Sequence, residues 1–551
     1  MKQLMFAALF GVFLLTTSVF SVPDIVDCTK NGRLTCTITW VIEEKGCNLD
    51  NCTKNGFRNI ISVHHPSLNA TCKVFPAPTI YAQPNQRIQV QVINRLHEPT
   101  TIHWHGMLMK RTMFSDGVPA ITQCPIQART TFVYDFYANS VPGTHWYHSH
   151  YKPQRMDGLY GLIIIKETDP SYENLPEETV LISDWYHHKA EEMLHAYNAS
   201  NFLVTNGTPA GMMYEPVPHA ALVNDVIEVE GELVTSTKKV NRVPIHVGQR
   251  YSVIPYRQPD AENITEFWMR MEANPDCLRR NTPESYKNEF LKESRSIISY
   301  NPYYKYAPGK EPTTQRWDDK KMECIDLDLS FLSPKNKSLL PPKDAKITTY
   351  GLQINMFTSR QYLGTDDFKD YFGLTTYGTV TGLQRMGIYH AYNDSFNTLE
   401  RVYDRYQHGK TGLKPAWPSS QNVIILNERG RMIEVVLRNI DDIAHPFHLH
   451  GHFFWVMETT QFNYSSKKVT TFKYDEPIMR DTATVSQRGT TTIRFMTDNP
   501  GVWAFHCHIE WHVEVGMMAQ FLELPDEIKG IPKQSSQING SKIWENLCIK
   551  P

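Results

Sequence analysis

Apolar and polar residues alternate along much of this 551-residue chain. Arg87-Ile-Gln-Val-Gln-Val92 and Met432-Ile-Glu-Val-Val-Leu437 switch character at nearly every step. Period 2 predicts half-buried strands, because successive side chains leave opposite faces. Pro and Gly punctuate the chain at short intervals, as between the strands of β-sandwiches. One helical patch is expected from His188 to Tyr197. The stretch from Cys277 to Pro342 is polar and Pro-rich, and reads as long loops leading to a domain boundary. The expected class is all-β.

The chain also repeats itself. Pro142-Gly-Thr-His-Trp-Tyr-His148-Ser149-His150 aligns with Pro500-Gly-Val-Trp-Ala-Phe-His506-Cys507-His508 in its Pro-Gly and His-x-His. Upstream of each copy stands a second matching pair, His103-Trp-His105-Gly106 and His448-Leu-His450-Gly451. The first and last thirds are therefore read as diverged copies of one domain. The middle third, roughly 169–345, has no His-x-His but contains strand-like segments such as Tyr251-Ser-Val-Ile254.

The repeat carries a chemistry. Residues i and i+2 of a strand share a face, so each His-x-His presents two imidazoles side by side. Four pairs from two domains give eight imidazoles, enough for three metals held by three, three and two nitrogens. Imidazole suits Cu, Zn, Fe and Ni. Cys507 lies between His506 and His508, so it faces the other side of the strand and belongs to a second site. His512 and Met517 follow it, and His445 precedes the 448/450 pair. Two His, a Cys and a weak axial Met are the ligand set of a blue-copper electron-transfer site. Ser149 stands at the place of Cys507 in the first copy, which predicts no second blue site. Structural zinc takes four ligands and does not explain this set. A copper store would tolerate loss of cluster ligands or of Cys507, and none is lost. His145 and His452 lie inside the motifs but outside the pairing.

His103-Trp-His-Gly106, Trp146-Tyr-His-Ser-His150, His445-Pro-Phe-His-Leu-His-Gly-His452 and His506-Cys-His-Ile-Glu-Trp-His512 resemble the four copper motifs of multicopper oxidases. The likeness is to the three-domain laccase, ascorbate oxidase and ferroxidase branch, most of all to laccases. His246-Val-Gly-Gln-Arg-Tyr-Ser-Val253 also resembles a laccase middle-domain segment. The resemblance implies three cupredoxin-like Greek-key domains: 22–168, 169–345 without copper ligands, and 346–551. It implies four coppers per chain. His103 and His448 would hold type 2. His105, His148 and His508 would hold one type 3 ion, and His150, His450 and His506 the other. His445, Cys507 and His512 would hold type 1, with Met517 axial and a low-to-middle potential. The resemblance gives Asp116 a place near type 2 and makes Glu510 a proton donor; by strand parity Glu510 faces the cluster if the strand runs that far. It also implies a Cys124–Cys548 disulfide. Cys277 and Cys324 are a candidate pair.

The implied reaction couples four one-electron oxidations to reduction of O2 to water. Diphenols or aromatic amines are the leading reductants, Fe(II) the first alternative and ascorbate the second. Asp441 matches a carboxylate position of the iron-oxidising branch and Asp442 adjoins it. Asn201 stands where some laccases carry an acid that receives the phenol proton, and an amide cannot take that proton.

Composition changes the picture only at the margins. Hydrophobic residues make up 41% and net charge is −2, which points to packed cores and away from nucleic acid. Lys2 and the apolar run from Leu4 to Val19 read as a cleaved leader, residues 1–21. No later stretch reaches the ~20 apolar residues of a membrane span. Sequons at Asn51, Asn69, Asn198, Asn206, Asn263, Asn336, Asn393, Asn463 and Asn539, with ten cysteines, point to a secreted, disulfide-bearing protein, expected to be a monomer.

Overall fold

The computed structural model describes residues 25–30, 34–48, 57–67, 75–166, 179–186, 188–199, 220–225, 234–236, 242–251, 264–278, 294–299, 311–314, 324–356, 372–378, 397–407, 421–462, 468–514 and 516–531, with short strands at 13–15, 537–538 and 541–542. Asn201, Cys548 and every sequon but Asn198 and Asn336 lie outside them, as does the leader apart from Phe13–Leu15, a strand that pairs with Ser294–Ser299.

Two sandwiches dominate. In the first, a five-stranded sheet orders Ile25–Asp27, Thr79–Ala82, Tyr160–Ile165, Gly143–His148 and His103–His105. It faces a four-stranded sheet of Phe57–His64, Thr35–Asn48, Arg87–Asn94 and Thr131–Tyr137. In the last part of the chain, a five-stranded sheet orders Val423–Leu426, Met518–Glu523, Gly501–Cys507, His445–Leu449 and Thr482–Val485. A seven-stranded sheet built on Ile347–Met356, Met432–Asn439, Thr490–Met496 and Phe454–Phe462 covers it.

The period-2 segments behave as their pattern requires. Along Arg87–Asn94 every second residue is buried, Ile88, Val90, Val92 and Asn94. Each aliphatic so buried contributes about 1.5–3 kcal/mol. The predicted repeat is visible in the pairing. Arg87–Asn94 runs parallel to Thr35–Ile42 and antiparallel to Thr131–Tyr137. Met432–Asn439 likewise runs parallel to Ile347–Ile354 and antiparallel to Thr490–Met496. His103 pairs with His148 in the first copy, and His448 with His506 in the second.

Residues between the paired histidines point the other way and anchor the site from behind. Trp104 packs within 4.7 Å of Phe136, 5.3 Å of Tyr134 and 5.7 Å of Tyr147, ring centre to ring centre. Leu449 and Phe505 hold the corresponding core positions in the second copy. The glycine after each pair has a steric cause. Gly106 and Gly451 have φ +85° and +68°, and a Cβ would stand 2.4 Å from His145 Nδ1 and from Trp503 Cε3, respectively.

The helix comes at Ala190–Ala199, close to its predicted place. The stretch from 277 to 342 is less irregular than expected, because Ser294–Ser299 pairs with Glu266–Met271. Cys277 and Cys324 form a disulfide, and so do Cys28 and Cys36. Cys124 is disulfide-bonded to a partner outside the described residues. Among the described residues the free cysteine is Cys507, fully buried, and no helix is long and apolar enough to cross a membrane.

Candidate metal centre

The two hairpins carrying the His-x-His pairs face each other across the contact between the sandwiches. The eight histidines converge there, seven of them buried and His150 nearly so. Ligand atoms gather within 4.8 Å of one another in several sets: His105, His148 and His508; His150, His450 and His506; and His103, His105 and His448. On the far side of the Gly501–Cys507 strand, His445, Cys507 and His512 form a further set.

The hydrogen bonds decide which nitrogens are bare. A carbonyl only accepts, so a ring nitrogen resting on one carries the proton. His103 Nδ1 donates to Asp116 O at 2.8 Å, His148 Nδ1 to Ser149 O at 2.8 Å, His448 Nδ1 to Asp481 O at 2.8 Å and His506 Nδ1 to Cys507 O at 2.9 Å. Burial holds His148, His448 and His506 neutral, His506 down to about 3. Their Nε2 atoms are then lone pairs. Those of His103, His148 and His448 have no hydrogen-bond partner although buried.

The lone pairs also meet head-on. His450 gives its Nδ1 proton to the Asp116 carboxylate at 3.0 Å, and its Nε2 lies 3.0 Å from His506 Nε2. His150 Nε2 is 3.3 Å from the same atom. Two lone pairs at that distance repel unless a cation lies between them. Neutral imidazoles so oriented, with second partners fixing each ring, are the donor set of a transition-metal ion. His508 departs from the pattern: its Nδ1 faces the Arg155 guanidinium at 2.5 Å, which only donates.

At the second set, Cys507 Sγ lies 3.3 Å from His512 Nδ1 and 3.7 Å from His445 Nδ1. Those two nitrogens are 3.2 Å apart. Met517 is fully buried, and its carbonyl accepts the Cys507 N–H at 3.1 Å. Asp441 Oδ2 stands 3.3 Å from the outer nitrogen of His445, within ion-pair distance but without the alignment of a hydrogen bond. Asp442 donates its backbone N–H to Asp441 Oδ1 at 2.9 Å. Ser149, at the place of Cys507, gives its hydroxyl to Gln154 at 2.9 Å.

The condition on which Glu510 would face the cluster by strand parity is not met. The strand ends at Cys507, and Glu510 opens the short helix Glu510–Glu514. A strand rising ~3.3 Å per residue would carry His512 about 17 Å from Cys507, so the chain must coil to bring the ring back. Glu510 instead pairs with Arg155, which also donates to the His508 carbonyl at 3.0 Å.

Sequence reasoning missed three residues. Asp481 takes His105 Nε2–H on Oδ1 at 3.1 Å while its backbone carbonyl holds His448. Arg250 grips Asp481 with both terminal nitrogens, at 2.7 and 2.5 Å. Arg155 joins His508 to Glu510. The contacts that join them across the site, Arg250 to Asp481, Asp481 to His105 and Arg155 to His508, span 231, 376 and 353 residues, and no local pattern announces them.

Fold and site define a copper oxidase class. Two family models described as multicopper oxidase match residues 61–170 and 391–527. The iron transport multicopper oxidase FET3 of Saccharomyces cerevisiae is 28% identical over 504 residues, covering 86% of this chain and 75% of its own length. Laccase-1 of Cryptococcus neoformans var. grubii is 28% identical over 537 residues, covering 86% and 79%. Among solved structures, Fet3p, described as a multicopper oxidase that functions in iron import, superposes with TM-score 0.70 at 25% identity over 93% of this chain and 94% of its own. The Botrytis aclada laccase shares the fold, with TM-score 0.62 at 21% identity over 96% and 92%. The first and last parts of the chain are thus multicopper oxidase domains. The protein is a copper-dependent oxidase with O2 as electron acceptor.

Proposed function

We propose that this oxidase takes electrons from Fe(II) at the outer edge of His445 and spends them on O2 among the eight paired histidines. Balanced, four Fe(II), one O2 and four protons give four Fe(III) and two waters. The observation that carries the reading is the Asp441 carboxylate beside the outer nitrogen of His445. Carboxylate oxygen is a hard ligand suited to a hard cation. Asp441 keeps 10% of its side chain exposed, so part of its carboxylate side chain is open to water while His445 is sealed.

The ligand roles follow the sets above. His103 and His448 would hold type 2 copper; His105, His148 and His508 one type 3 ion; His150, His450 and His506 the other. His445, Cys507 and His512 would hold type 1, with Met517 as a further ligand, which would make four coppers per chain. Copper so bound supplies one-electron acceptance at the thiolate and four-electron reduction of O2 at the cluster. The chain's own part is to join and feed these sites. Cys507 shares backbone with His506 and His508, so a few covalent bonds separate the two centres. Asp116, which touches His450 and whose carboxyl burial raises, and Glu510, also raised by burial and paired with Arg155, are assigned as the proton carriers. We further assign the protein to the extracellular space, with domains breaking near 168 and 345.

Oxygen uptake by the copper-loaded protein tests the reductant, comparing kcat/KM for Fe(II), a diphenol and ascorbate. Fe(II) should lead. Asp441→Ala should lower that value alone by about 10- to 100-fold, the worth of one charge-assisted contact. A diphenol that leads, with Asp441→Ala indistinguishable from the parent, returns the enzyme to the laccase reading.

A further inference from the structure

The middle third of the chain carries no copper ligand, yet one of its turns reaches the histidine cluster. Gly248 lies so close that a Cβ would meet His508 Cδ2 at 3.0 Å, and its φ of +89° favours glycine. Arg250, two residues on, is buried between the two sandwiches. Its Nε donates to Thr144 O, on the strand that ends at His148, at 3.1 Å. Its two terminal nitrogens clasp the fully buried Asp481. Gln249 and Tyr251 bond to Asp326, which accepts the Thr484 N–H of the strand beside His445–Leu449.

Asp116 and Asp481 play matching parts. Asp116 holds His103 of its own sandwich by its carbonyl and His450 of the other by its carboxylate. Asp481 holds His448 of its own by its carbonyl and His105 of the other by its carboxylate. The two aspartates thus cross-tie the halves of the cluster. They differ in one respect: Asp481 is clamped by a guanidinium from outside both halves.

We propose that Arg250 is a positioning residue for the three-copper centre, fixing Asp481 so that His105 and His448 present their bare nitrogens to metal. The proposal rests on the reading that the eight histidines hold that centre. A bidentate guanidinium–carboxylate pair sets both the distance and the plane of the carboxylate. Without it, the Thr482 hydroxyl at 2.9 Å and His105 itself still hold Asp481, but the plane of the carboxylate is no longer set, and the His105 tautomer is fixed less firmly. Loss of such outer partners weakens metal sites by about 10- to 100-fold. Type 1 copper lies on the opposite face of the Gly501–Cys507 strand and does not share the clamp.

The test compares the parent with Arg250→Met and Arg250→Lys in the copper-loaded full chain. The readouts are copper per chain during chelator titration, the blue absorption of type 1 and the EPR signal of type 2. Arg250→Met should keep the blue band while type 2 signal and cluster copper are lost at about 10- to 100-fold lower chelator concentration. Arg250→Lys keeps the charge but not the fork, and should fall between. If Arg250→Met fails to fold, losing the blue band as well, Arg250→Lys decides alone by the same selective loss. Variants that hold cluster copper as the parent does overturn the proposal. A parent that shows the blue band but no type 2 signal overturns instead the reading of the cluster.

Discussion

Serine in place of Cys507 should give a colourless protein that consumes no oxygen with Fe(II), a diphenol or ascorbate. The sulfur lies within 3.7 Å of both histidine nitrogens of its set and is the one thiolate donor among them. A hydroxyl does not ionise near neutral pH and is a poor ligand for a copper that must cycle between oxidation states. Oxygen uptake should therefore fall to the uncatalysed rate. The fold should survive, since an unpaired buried hydroxyl costs about 1–3 kcal/mol. Cluster copper should also survive, because Cys507 pairs in register with Phe447 while the neighbouring His506 pairs with His448, and alternation sends the two side chains to opposite faces. Visible absorption, copper per chain and an oxygen electrode report the three outcomes separately. A serine variant that still turns over would remove Cys507 from the electron path. One that loses the type 2 signal together with the blue band would undo the separation into two sites.

What the sequence made legible was what alternation and spacing control. The Arg87–Asn94 and Met432–Asn439 strands bury the residues their pattern selects. Paired histidines share a face and Cys507 takes the other, because two is the period of a strand. Glu510 marks where that logic ends. Parity holds only while the strand continues, and the five-residue spacing from Cys507 to His512 already required a turn. Arg155, Arg250 and Asp481 were not legible. Each acts across an interface between parts of the chain remote in sequence, and a salt bridge leaves no periodic trace. Asp481 was hidden further because it is not at the position that repeats Asp116: one follows its histidine pair by 11 residues, the other by 31. Only the assembled contact shows that they do the same work.

The crowding of bare imidazoles makes a last prediction, about acid. Burial lowers the pKa of His105, His148, His150, His448, His450 and His508 well below the ordinary value, and brings His145 and His506 to about 3. In the unfolded chain each returns to about 6.5. Below that pH the unfolded state binds more protons, so stability present above about 6.5 is lost as pH falls toward the folded values. For His506 alone the loss by pH 5 is about 2 kcal/mol. Asp116 and Glu510, raised by burial, and half-buried Glu514 at about 8 work in the opposite sense, since their raised carboxyls gain protons on folding as pH falls. These carboxyls offset only part of what the eight histidines lose. Against a total stability of about 5–15 kcal/mol, the copper-stripped protein should pass from folded to largely unfolded between pH 7 and pH 5. Metal competes with protons for the same lone pairs, so the copper-loaded protein should hold its midpoint over that window and fail at lower pH, with copper release. Urea midpoints of the two forms, measured from pH 8 to pH 4, check this. A copper-stripped midpoint that stays flat from pH 7 to pH 5 would mean that the imidazoles are not held neutral and inward in the absence of metal, and that the cluster is shaped by copper rather than by Asp116, Asp481 and the carbonyls that fix the rings.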